Sequence, residues 1–166
     1  GWMNHFPSWE CLKNILSHFF WRNHDTTDDS LLGAVVPSFG RNGIMTVPGT
    51  EFATQLIAQE GVLTRRKPSN FERDHIEFGW TIAKQMGGLD VGQSVTVRDR
   101  TILAVEAIEG TDACIVRTGQ ICPRGGFTLV KVAKPQQYMR FDLPTIGPPT
   151  PAQMAFAGGK RVEYER

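Results

Sequence analysis

Apolar residues follow two different periods along this chain, and the change near residue 90 predicts its architecture. Before it they recur every three to four positions. Trp9, Leu12, Ile15, Leu16, Phe19 and Phe20 share one face of an amphipathic helix that follows Pro7 and Ser8. The polar stretch 23–29 reads as a linker, and Asp28 or Asp29 caps a short helix that runs through Val36 and is stopped by Pro37. The run SFGRNGI is a turn. Thr50, with Glu51 in the first turn, starts a helix to about Gln59 that ends at Gly61. Ser69 and Glu72 form a capping box ahead of the stripe Ile76, Trp80, Ile82, Ala83 and Met86, which Gly87-Gly88 closes.

Beyond that helix the alternation is that of strands. SVTVRD alternates polar and apolar residues, TILAVEAI is rich in apolar and β-branched residues, and RGGFTLVKVAK makes a third strand. Asp99-Arg100 is the tight turn of a hairpin. The proline- and glycine-rich tail after Phe141 leaves room for one more short helix at 151–157. Helices followed by strands, with β–α alternation, predict an α/β three-layer sandwich with a mixed sheet, preceded by the N-terminal amphipathic helix. Neither internal repeats nor low-complexity tracts occur.

Composition narrows the classes of function. At 166 residues and 40% apolar content the chain supports one compact domain with a real core. Its 18 Lys+Arg against 17 Asp+Glu give no basic stripe, which argues against nucleic acid as a partner. Cys11, Cys114 and Cys122 form no C-x-x-C pair and no zinc-ligand spacing, so the expectation is a reduced, cytoplasmic chain without structural zinc. No run of roughly 20 apolar residues spans a bilayer. The aromatic-rich N-terminus lacks the pattern of a signal peptide and reads as a piece of something larger.

Candidate chemistry gathers at strand ends. ILAVEAIEGTDA places Glu106, Glu109 and Asp112 within seven residues, with Gly110 admitting a ligand to the backbone. Hard cations such as Mg²⁺ take oxygen ligands of this kind and share them with phosphates. The plain alternative is a solvent-facing glutamate and a helix cap at Thr111 or Asp112. Lys131, Lys134 and Arg140 lie on and after the third strand, where they can meet phosphate, and Asp142 beside them is either an ion-pair partner, a metal ligand or a general base. Lysines on a strand also serve simply to keep a sheet edge from aggregating. Arg65, Arg66 and Lys67 form a second cationic group just before a helix N-terminus, a place that favours anions, though a solvated basic loop is as good a reading. Two cationic clusters and one acidic one have the make-up of a metal-assisted phosphate site. The scattered histidines, and Cys114 without a base beside it in sequence, point to nothing comparable.

Four strings, EGVLTRRKPS, IEFGWTIAKQMGGLDVGQSVTVRD, AVEAIEGTDA and VKVAKPQQYMRFDLPTIGP, resemble in order and spacing the C-terminal domain of the LpxI-type UDP-2,3-diacylglucosamine pyrophosphatases of lipid A biosynthesis. The resemblance implies a Mg²⁺-dependent hydrolase that releases UMP and the acylated sugar phosphate lipid X. It divides the chain into a remnant of the family's N-terminal domain with a linker (1–28) and a C-terminal catalytic α/β domain (29–166) that stops short of the family's usual end. On it, Asp142 is the first catalytic or metal-linked carboxylate, with Asp112 and Glu109 next for catalysis and Asp112 and Glu106 for the metal. Lys131, Lys134 and Arg140 neutralise the diphosphate, joined by Arg65 and Arg66. Loss of most of the N-terminal domain leaves an inactive nucleotide- or lipid-binding module as one alternative, and hydrolysis of another nucleotide sugar as a second. Peripheral contact with the inner membrane and pairing into a homodimer stay open.

Overall fold

The structure, a computed structural model, describes residues 9, 13, 36–37, 39–135 and 144–165. Apart from Trp9 and Lys13, the predicted helix over 9–21 falls outside these residues, as does the 28–36 helix up to residue 35. So do Arg140 and Asp142. By its internal contacts the chain divides into two units, Gly1–Phe52 with Tyr138–Phe141, and Ala53–Gln137 with Asp142–Arg166.

In the first unit, helical backbone is present at 36, 37 and 39–41, so Pro37 does not stop the helix as its sequence position predicts. The reversal comes later, at Gly43 with φ +73°, where the Ile44 amide donates to the Phe39 carbonyl. A left-handed residue that lets the chain fold back on its last turn suits glycine.

The second unit carries the sheet. The helix expected over 50–59 is absent; a 3₁₀ turn at Gly49–Glu51, in the first unit, and another at Thr54–Leu56, in the second, stand in its place. Neither has a side-chain cap, so the first-turn signal at Thr50 lacks the hydrogen bond that would nucleate a helix. Helix α1 (Asn70–Gly88) follows, and here the sequence signal holds in full. Ser69 Oγ accepts from the Glu72 amide while the Glu72 carboxylate accepts from the Ser69 amide, which satisfies two otherwise orphan donors.

Strands β1 (Ser94–Arg98) and β2 (Thr101–Val105) form the predicted hairpin, and Asp99 and Arg100 both take positive φ, as a two-residue turn of matching twist requires. Helix α2 (Thr111–Ile121) returns the chain to β3 (Thr128–Lys131), and α3 (Pro149–Phe156) leads to β4 (Arg161–Tyr164). The sheet order is β2-β1-β3-β4, with β1 antiparallel to both neighbours and β3 parallel to β4. This is the mixed sheet expected.

Helix α1 covers one face, where Ala83 packs with Val95, Val97, Val130 and Val132. Gly79 makes that packing close: a Cβ there would meet Val97 Cγ2 at 2.7 Å. On the other face Ile115 of α2 and Met154 of α3 enclose Phe127 and Leu129. The three layers of the sandwich are thus α1, the sheet, and α2 with α3. A four-residue strand at 161–164 was not legible in the sequence, because its partner lies thirty residues upstream.

Candidate active site

The ends of β2, β3 and β4 and the start of β1 lie along one border of the sheet. Ser94 pairs with Lys131, Lys131 with Tyr164, and the Glu106 amide donates to the Ser94 carbonyl at 2.9 Å. Glu106, Ser94, Lys131 and Tyr164 therefore form one row across the sheet. Two residues from Ser94, Thr96 Oγ1 meets Thr118 Oγ1 of α2 at 2.8 Å, so this row faces α2.

Lys131 is buried at 8% exposure, and its ammonium donates to Thr111 Oγ1 at 3.2 Å, at the N-terminus of α2. None of the ion pairs among the described residues engages it. Buried charge without a partner is expensive, so such a cation has a use for an anion. The helix terminus adds to its field, because the first amides of α2 point outward and carry partial positive charge. Next in the row, Ser94 Oγ and Glu106 Oε2 are buried without a hydrogen-bond partner among the described residues. Gly92 brings the Glu106 backbone close: a Cβ at residue 92 would lie 2.0 Å from the Glu106 carbonyl oxygen.

The other residues singled out in the sequence separate into those this border gathers and those it does not. Asp112, exposed in the first turn of α2, has its Oδ1 3.4 Å from Thr150 Oγ1 on α3. Glu109 is a brace: its carboxylate accepts from the Ala107 amide at 3.1 Å and pairs with Arg117, whose guanidinium also donates to the Val105 carbonyl. Its own backbone amide and the Arg117 guanidinium hold this carboxyl below the usual carboxylate range. Lys134 pairs with Asp90 at 2.7 Å. Arg66 pairs with Glu72 at 2.7 Å, and Glu72 also takes Arg161, which with the Ser69 hydrogen bonds drives its carboxyl far below the usual range. Arg65 is exposed. Burial pushes the Cys114 thiol up to about 11, which removes it as a nucleophile near neutral pH.

Among the described residues no three His, Cys, Asp or Glu side chains converge to hold a metal ion. The described members of the acidic run thus do not form a cage by themselves. Glu106 Oε2 lies just past the end of β2, and the exposed Asp112 lies in the first turn of α2 beside Lys131's partner Thr111. Ser94, Thr111 and Thr150 belong to the same border and were missed, since hydroxyl residues become informative only once pairing places them. In sequence Thr111 reads only as a helix cap.

These features define an α/β domain whose strand ends and helix N-terminus form a polar border with a buried lysine that no ion pair among the described residues engages, the usual location for anionic ligands in such folds. Residues 59–166 match the family model described as the LpxI C-terminal domain. The chain belongs to that family. It is also 34% identical over 138 residues to the UDP-2,3-diacylglucosamine pyrophosphatase LpxI of Caulobacter vibrioides, covering 79% of this chain and 49% of the relative. The chain therefore spans about half the length of the relative it matches.

Proposed function

We propose that the parent protein of this domain hydrolyses the pyrophosphate of UDP-2,3-diacylglucosamine, giving UMP and lipid X, in lipid A biosynthesis. The observation that carries the reading is Lys131, buried at 8% exposure, free of ion pairs among the described residues and held on Thr111 at a helix N-terminus. A diphosphate seated there meets the Lys131 ammonium and the outward amides of α2, which stabilise charge growing on the phosphoryl oxygens. Glu106 and Asp112 would hold Mg²⁺ with the substrate's own oxygens, and the ion supplies further charge neutralisation. Asp142, in the stretch that follows β3, is assigned on family resemblance to orient or deprotonate the attacking water, with Arg140 beside it on the phosphate. Arg65, Arg66 and Lys134 take lesser parts, since Arg66 and Lys134 are already engaged by Glu72 and Asp90.

An acylated substrate, rather than a soluble nucleotide sugar, is favoured by a cavity of about 650 Å³ in the same unit, where Val62, Leu63, Ile76, Trp80 and Ile146 lie beside the charged Glu60, Arg66, Arg161 and Glu163. The test is release of UMP from UDP-2,3-diacylglucosamine with Mg²⁺, with and without chelator. Metal-dependent release that an Asp142→Ala substitution abolishes supports the assignment. Release from UDP-N-acetylglucosamine at an equal rate would remove the acylated substrate, and full activity in the variant would remove Asp142 from its role.

A further inference from the structure

The loop between the second 3₁₀ turn and α1 combines exposed apolar and exposed cationic residues. At its tip, past Gly61 with φ +116°, Val62 and Leu63 stand side by side with 48% and 60% of their surface exposed. Single exposed apolar residues are ordinary, but here two are adjacent, and Phe71 in the first turn of α1 is exposed too, at 61%. Immediately after the pair come Arg65, Arg66 and Lys67. Arg66 is neutralised by Glu72, which leaves Arg65 and Lys67 exposed, against one exposed acid, Glu60, at the loop's start.

The base of the loop is fixed while its tip is not enclosed. Arg161 donates to the Lys67 carbonyl and pairs with Glu72, and the Ser69–Glu72 capping box locks the entry to α1. An apolar tip flanked by cations on a pinned base is the chemistry of an interfacial anchor: the apolar pair enters the acyl boundary while the cations meet anionic headgroups.

We infer that the loop 61–68 docks this domain onto an anionic lipid surface. A net charge this small makes electrostatics alone insufficient, so binding requires the apolar pair and the two cations together. The orientation also turns the mouth of the cavity lined by Val62 and Leu63 toward the bilayer.

Co-sedimentation of the 166-residue chain with vesicles tests this directly. The probes are phosphatidylcholine vesicles with and without phosphatidylglycerol. The chain should bind only the anionic vesicles, and less as salt rises. Arg65→Gln with Lys67→Gln should weaken binding about 25-fold, at about fivefold per cation near such a surface. Val62→Asp with Leu63→Asp should abolish it, with the circular dichroism spectrum unchanged. Failure of the chain to bind, equal binding to neutral vesicles, or undiminished binding by either double variant overturns the inference. A dimer in solution that the Val62→Asp, Leu63→Asp variant dissolves, without vesicle binding, gives the patch to a second copy and overturns it too. The readout needs no turnover, so it stands or falls separately from the hydrolase assignment.

Discussion

Single residues decide how the polar border is built, and the smallest of them does much of it. Gly92 admits the Glu106 carbonyl to a place a methyl group would occupy, since a Cβ would lie 2.0 Å away. The neighbour is backbone and cannot swing aside. Gly92→Ala should therefore push the end of β2 out of register, destabilise the domain by about 1–3 kcal/mol as overpacking does, and displace Glu106 from Ser94. Urea denaturation checks this, and an unchanged midpoint would show that the border tolerates the shift. Lys131 was legible as a phosphate candidate from its place at a strand end, whereas Ser94 and Thr111 were not. Their relevance arises from burial and from pairing across the sheet, and no local spacing encodes either. Glu109 shows the converse: it stood out in the acidic run, yet its partners are the Ala107 amide and Arg117, which brace the connection from β2 to α2.

At the scale of elements, the signals that succeeded were those with a complete local mechanism. The capping box at Ser69 and the positive-φ pair Asp99-Arg100 each satisfy their own geometry within a few residues, so α1 and the β1–β2 hairpin were readable. Thr50 resembled a cap without forming the cap's hydrogen bond, and the predicted helix gave way to 3₁₀ turns. Strand β4 depends on a parallel partner far upstream and on α3 to carry the chain across, as parallel pairs require. Its arrival also strengthens α1, because Arg161 of β4 closes on Glu72 at 2.8 Å. The pH dependence of that link follows from sign. Glu72 has a folded pKa below its unfolded value, so its contribution is fully present above the unfolded carboxylate range, near pH 4–5, and fades as pH falls toward the folded value. A Glu72→Gln variant should therefore be less stable than the parent at pH 7, with the gap narrowing by pH 3. Guanidinium unfolding at the two pH values measures it, and a gap that widened in acid would contradict the assignment.

For the molecule as a whole, architecture was easier to read than placement. Hydrophobic periods alone gave an α/β sandwich with a mixed sheet, and the structure adds which border of that sheet is polar. Among the described residues no helix is long and apolar enough to cross a membrane. The chain spans about half the length of its Caulobacter relative. The central claim is that a diphosphate is held against Lys131 at the start of α2. Steady-state UMP release by the parent protein carrying Lys131→Met, beside the unaltered protein and with thermal melts of both, tests it most directly. The account predicts a loss of turnover of about 10²–10³-fold, as removal of a preorganised charge-stabilising donor gives, with a melting temperature equal to or above that of the parent, since an unpaired buried charge has been replaced by an apolar chain. Turnover within twofold of the parent would place the chemistry elsewhere on the molecule.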